Sequence, residues 1–155
     1  MRRISSTRRA PVVGAILAAA LILAGTAPAG TARAQPLLAD EDRATIQNTI
    51  LEQIEAFGRD DAAAAFAFAS PAIQARFGTP DNFMRMVRHG YGPVYRPKLV
   101  EFGPLIVEEE RSVQRLIVTT PDERLVIADY RMERQPDGAW RIAGVRLIYA
   151  GGDGI

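Results

Sequence analysis

Ile46, Ile50, Ile54 and Phe57 recur at spacings of four, four and three, with Leu51 beside them. That repeat follows the helical turn and predicts an amphipathic helix from about residue 40 to residue 59. Asp40, Glu41 and Asp42 fall in its first turn, where the helix dipole favours negative charge. Gly58 weakens continuation, and Asp60 or Asp61 then caps a second helix over 62–69, anchored by Phe66. Ser70-Pro71 and Thr79-Pro80 each set a hydroxyl at an N-cap and a proline at the first helical position. They predict a short helix with Ile73 and Phe77 that stops at Gly78. A further helix presents Phe83, Met84 and Val87 and ends near His89-Gly90.

From residue 94 onward the period changes. Strands are predicted at 99–108, 113–120, 125–134 and 140–149, with Gly103-Pro104 bending or breaking the first. Pro121-Asp122-Glu123 and Gln135-Pro136-Asp137-Gly138 are the turns between them. Alternation in the third strand puts Val126, Ala128, Tyr130 and Met132 on the inner face. Asp129, Arg131 and Glu133 share the other face with Leu125 and Ile127. In the last strand Trp140 and Ile142 have one parity and Val145, Leu147 and Tyr149 the opposite one. A bulge near Ala143-Gly144 reconciles the two sets and would curve the sheet. Helices first and antiparallel strands afterwards make an α+β fold, with N-terminal helices packed against a curved C-terminal antiparallel sheet.

Residues 1–34 read differently. Arg2, Arg3, Arg8 and Arg9 precede an apolar run over 12–23, which is shorter than the roughly 20 residues that cross a bilayer. Small residues and helix breakers follow, then Ala32-Arg33-Ala34. This is the grammar of a secretory signal peptide, with cleavage expected between Ala34 and Gln35. Thr26 stands where a lipidation signal needs cysteine, and Pro11-Val12 departs from a twin-arginine signal. The expectation is therefore a periplasmic or secreted product of residues 35–155, forming one domain without a membrane anchor. Removing 1–34 takes away five arginines and no acid, so the net charge of +1 becomes −4. A mildly acidic domain is a poor nucleic-acid binder. The absence of cysteine excludes disulfides, thiolate metal sites and a cysteine nucleophile, and a single histidine excludes two-histidine zinc motifs.

The element order resembles the cone-shaped fold of nuclear transport factor two and ketosteroid isomerase. A closer resemblance is local. It rests on Ala65-Phe66-Ala67-Phe68-Ala69-Ser70-Pro71, on Phe77-Gly78-Thr79-Pro80 with Phe83-Met84, on Tyr91-Gly92-Pro93-Val94-Tyr95-Arg96-Pro97, and on Tyr130-Arg131-Met132-Glu133 through Asp137-Gly138-Ala139-Trp140-Arg141-Ile142. These stretches resemble a family of exported bacterial proteins catalogued as domain of unknown function 4864, over about residues 43–148. The resemblance implies fold and export and supplies no catalytic residue.

Candidate chemistry concentrates in His89-Gly90-Tyr91-Gly92-Pro93-Val94-Tyr95-Arg96-Pro97, which joins helices to sheet. Arg85, Arg88, Arg96, Lys98 and His89 lie between residues 83 and 100 with no acid among them. Read for function, Tyr91, Tyr95, Arg96, Arg88 and His89, together with Tyr130, form a cationic, aromatic rim for an anionic ligand. Read for structure, which is the favoured reading of this segment, it is a rigid connector whose arginines pair with Glu101 or with Glu108, Glu109 and Glu110. His89 has no acid within seven residues on either side and suits a helix C-terminus. Asp129 opposes Tyr130 in parity, so no carboxylate is placed inside the fold, and Trp140 reads as core. No catalytic residue, metal site or cofactor is assigned. The leading expectation is non-catalytic binding of a small anionic or amphipathic ligand, or of a protein partner. An isomerase- or cyclase-like enzyme using the pocket, and a homodimer formed through Leu125 and Ile127 on the outer sheet face, are the two alternatives.

Overall fold

A computed structural model of the chain describes residues 40–108 and 111–149. The signal-peptide reading of 1–34, its cleavage site, Glu109, Glu110 and the predicted tail at 151–155 lie outside the described residues. The chain divides into two units, Met1–Arg33 and Ala34–Ile155, and the description below concerns the second. Among the described residues five helices come first: α1 (Asp40–Gly58), α2 (Ala62–Ala67), α3 (Pro71–Phe77), α4 (Pro80–Gly90) and α5 (Gly92–Tyr95). Four strands follow: β1 (Leu99–Glu108), β2 (Arg111–Thr119), β3 (Leu125–Arg134) and β4 (Trp140–Tyr149). They pair in sequence order as one antiparallel sheet. This is the expected α+β arrangement of helices followed by a curved sheet.

Capping side chains mark the helix starts. Ser70 Oγ accepts from the Ile73 amide at the start of α3, and Thr79 Oγ1 accepts from the Asn82 amide at the start of α4. Asp61, not Asp60, caps α2, accepting from the Ala64 amide at 2.9 Å. Asp60 instead occupies the left-handed position after α1, at φ 59°. There the amides of Asp60 and Asp61 close the helix onto the carbonyls of Phe57 and Ala56, a Schellman ending in which aspartate stands where glycine is usual. The segment after α4, expected as a connector, coils into the single turn α5 behind Pro93.

The inner face of the sheet and the stripe of α1 form the first core. Ile46, Ile50 and Ile54 meet Leu116, Val118, Ala128, Tyr130, Met132, Trp140 and Ile142. Leu51 does not belong to that stripe; it is 37% exposed. A second core lies among the helices, where Phe57, Ala65, Phe83, Met84 and Val87 are buried together. Phe83 is its centre, with the rings of Phe66, Phe77 and Phe57 at 5.3, 5.8 and 6.1 Å.

Two irregularities shape the sheet. Pairing of β1 with β2 slips between Phe102 and Leu105, so Gly103-Pro104 bends a continuous strand instead of breaking it. Pairing of β3 with β4 slips between Arg131 and Met132: Arg131 faces Gly144, Met132 faces Ile142, and Ala143 is the extra residue. Beside this bulge, Ser70 donates to the Ile142 carbonyl and Ile142 to the Phe68 carbonyl, which ties the helical half to the β4 edge.

On the outer face, Asp129 is flanked in register by Arg115 of β2 and Arg146 of β4. Arg115 grips the carboxylate with Nε at 2.7 Å and Nη2 at 3.0 Å, and Arg146 Nη2 adds a bond at 3.0 Å. Leu125, Ile117, Leu99 and Ile148 of the strands are exposed, whereas Ile127 is half-buried. The hydrogen bond from Arg115, aided by Arg146, holds Asp129 below its ordinary value of 3.8. A carboxylate lowered on folding stabilises the fold above its unfolded pKa, and that contribution is lost as the pH falls through the folded value. Asp129→Asn is therefore expected to melt below the wild type at neutral pH. The gap should close only below about pH 4. Thermal midpoints across an acid series check this; a gap that persists unchanged in strong acid contradicts it.

Candidate functional site

A cavity of about 370 Å³ lies where the two cores meet. Helix α4 packs chiefly on α2, α3 and α5, while β3 and β4 turn at the bulge, so helices and sheet do not close on each other there. The helical wall comes from Gln53 and Phe57 of α1, Ile73, Arg76 and Phe77 of α3, and Phe83, Met86 and Val87 of α4, with Tyr91 and Val94 beyond them. Tyr130, Arg131, Ile142, Ala143, Gly144 and Val145 supply the sheet side. The volume is at the lower end of the range of about 300–1,000 Å³ for small-molecule sites.

Most of the wall is apolar or aromatic. Among the described residues its charged members are Arg76 and Arg131, both exposed, and no aspartate, glutamate or histidine lines it. Among the described residues neither arginine has a carboxylate within ion-pair distance. Arg76 lies over the Phe77 ring at 5.7 Å, and Arg131 Nη2 donates to the Ala143 carbonyl at 3.3 Å. Gln53, buried, donates through Nε2 to the Ala65 carbonyl at 3.0 Å. Tyr130 is wholly buried, and its hydroxyl has no hydrogen-bond partner among the described residues. Burial pushes the phenol well above its ordinary value of 10.0, so it stays a neutral donor. Its cross-strand neighbour Gln114 likewise has an unpartnered buried Oε1.

The chain matches the family model described as domain of unknown function (DUF4864) over residues 39–154. It belongs to that family. No curated protein and no solved structure matches it.

The six ligand-binding candidates in this DUF4864 domain separate into three groups. Tyr91 and Tyr130 line the cavity. Arg88, Tyr95 and Arg96 gather elsewhere, on Asp60. Arg88 Nη2 donates to Asp60 Oδ1 at 2.7 Å, Arg96 Nη2 to Oδ2 at 2.6 Å, and the Tyr95 hydroxyl also donates to Oδ1. Arg88 Nε reaches the Tyr95 oxygen at 3.1 Å, and both guanidinium groups lie over the Tyr95 ring. The Tyr95 hydrogen bond and the Arg88 bond beside it lower the Asp60 pKa. So these arginines pair with Asp60, and among the described residues neither pairs with Glu101; the side chains of the 108–110 acids lie outside what is described. Asp60 lies 35 residues from Tyr95 along the chain, too far for the local charge count to register it. His89 stands apart, exposed at the end of α4, with Nδ1 2.7 Å from the Arg85 carbonyl; that contact requires the proton on Nδ1.

Gln53, Arg76, Arg131 and Gly144 of the wall were not singled out as site candidates from the sequence. The sequence signal that bears on the last two is the parity break at Ala143-Gly144, because the bulge it implies falls opposite Arg131. Asp129 and Trp140 stand where parity put them. The first is on the outer face under Arg115 and Arg146. The second is in the core, with Nε1 donating to Asp42 Oδ1 at 3.0 Å. Among the described residues no helix is long and apolar enough to cross a membrane, and no cluster of three or more metal-ligating acids or imidazoles occurs.

Proposed function

We propose that this protein binds a small amphipathic anion, an apolar body bearing one acidic head, in the cavity between its helices and its sheet. The observation that carries this reading is the charge asymmetry of the wall: among the described residues it has two arginines, no acid, and otherwise mostly apolar surface. Apolar surface removed from water drives the body inward, and a guanidinium without a carboxylate partner favours the head. Acid–base chemistry is the weaker reading, because among the described residues the wall offers neither carboxylate nor imidazole to hold or move a proton. We read the curved sheet and its helices as a cone of the nuclear-transport-factor-two kind. We place the binding outside the cytoplasm, after cleavage between Ala34 and Gln35. Amino-terminal sequencing of the protein from its native source tests that cleavage; a chain beginning at Met1 or Arg2 overturns it.

Binding is tested by calorimetric titration with straight-chain carboxylates from hexanoate to dodecanoate. Saturable one-to-one binding is expected, strengthening by about 0.8 kcal/mol for each added methylene until the cavity is full. Met86→Trp fills the space from the helical wall and is expected to abolish the signal while the far-ultraviolet circular dichroism stays native. No binding by any chain length, or binding indifferent to Met86→Trp, overturns the reading.

A further inference from the structure

We infer that Arg131 selects a carboxylate head in this cavity and that Gly144, through the bulge at Ala143, positions it. The inference rests on the binding proposed above and assigns the residue that discriminates an acid from its neutral analogue.

Alternation alone sends Arg131 to the outer face of β3, yet it lines the cavity. The extra residue at Ala143 locally bends β4 and leaves Gly144 opposite Arg131. The guanidinium then lies across the glycine. A Cβ on residue 144 would stand 2.5 Å from Arg131 Nη2 and 3.1 Å from Nε, so only glycine leaves this seat open. Gly144 is not in the left-handed region, so its role is space and not backbone freedom. The Ala143 carbonyl accepts one N–H at 3.3 Å and holds one edge of the group. Four of its five donors remain without a partner among the described residues. A planar fork held at one edge and free along the rest suits two-point contact with a planar carboxylate. Arg76 has no such seat: it sits on α3 with a ring contact to Phe77 and no hydrogen bond among the described residues.

The test compares decanoate with 1-decanol on the full chain and on Arg131→Gln, Arg131→Lys, Gly144→Ala and Arg76→Gln. Arg131→Gln is expected to weaken decanoate by roughly 10- to 100-fold, the range of a charged hydrogen bond, and to leave decanol unchanged. Arg131→Lys should recover part of the loss. Gly144→Ala should reproduce the selective loss with an unchanged unfolding midpoint, because what it displaces is the far end of a flexible side chain. A purely structural role would move both probes together. If Arg131→Gln binds decanoate as the wild type does, or if Arg76→Gln alone causes the selective loss, the assignment of Arg131 is overturned while the cavity reading stands. If neither probe binds the wild type, the cavity reading falls and the assignment with it.

Discussion

Trp140→Ala is expected to lower the unfolding free energy by about 3–5 kcal/mol, the range for removing a large buried aromatic side chain. Trp140 is only 6% exposed and packs in the core formed by α1 and the inner sheet face. It also joins two elements far apart in the chain. Its Nε1 donates to Asp42 in the first turn of α1, a contact between residues 98 positions apart. Loss of the indole therefore opens a void and unfastens the start of β4 from the start of α1. Trp140→Phe separates the two effects: it keeps most of the apolar volume and forfeits the bond to the carboxylate, for an expected loss of about 1–2 kcal/mol. Urea unfolding followed by circular dichroism measures both, since Trp140 is the sole tryptophan and fluorescence would vanish with it. A loss below about 1 kcal/mol for the alanine variant would mean that this seam adds little to the fold.

Tyr130→Phe is expected to act in the opposite direction and raise stability by about 1–3 kcal/mol. A buried polar atom without a partner forfeits its hydrogen bonds to water and gains none in return. The Tyr130 hydroxyl is such an atom among the described residues, and phenylalanine keeps the ring that fills the site. Thermal and urea unfolding of the ligand-free variant decide the point. A decrease in stability would show that the hydroxyl is already satisfied in the folded protein.

The chain announces its elements well because their signals are local. The stripe of Ile46, Ile50, Ile54 and Phe57, the Ser70-Pro71 and Thr79-Pro80 starts, and the alternation through Tyr130 and Met132 all arise from neighbours within a turn or a pleat. The bulge at Ala143 was legible for the same reason: two sets of inward residues with opposite parity in one strand demand an extra residue between them. The candidate site was harder to read. Tyr91 was visible as an aromatic residue at the change of period and Tyr130 through strand parity, but Arg88, Tyr95 and Arg96 looked like a ligand rim only while Asp60 stood unnoticed 28 to 36 residues away.

By itself, then, the sequence determined the order of α1 to α4 and of the strands, the hydroxyl caps of α3 and α4, the inner face of the sheet and the place where that sheet must bend. Periodicity, capping and turn chemistry act over a few residues and need no tertiary partner. Tertiary structure alone decided which cations close on a carboxylate and which stand in the wall of a cavity. Arg88 and Arg96 close on Asp60 because the Schellman ending of α1 presents it to them. Arg131 is part of the cavity wall, with its guanidinium laid over Gly144 of the neighbouring strand. Both outcomes depend on distances between segments remote in sequence, which no local pattern encodes.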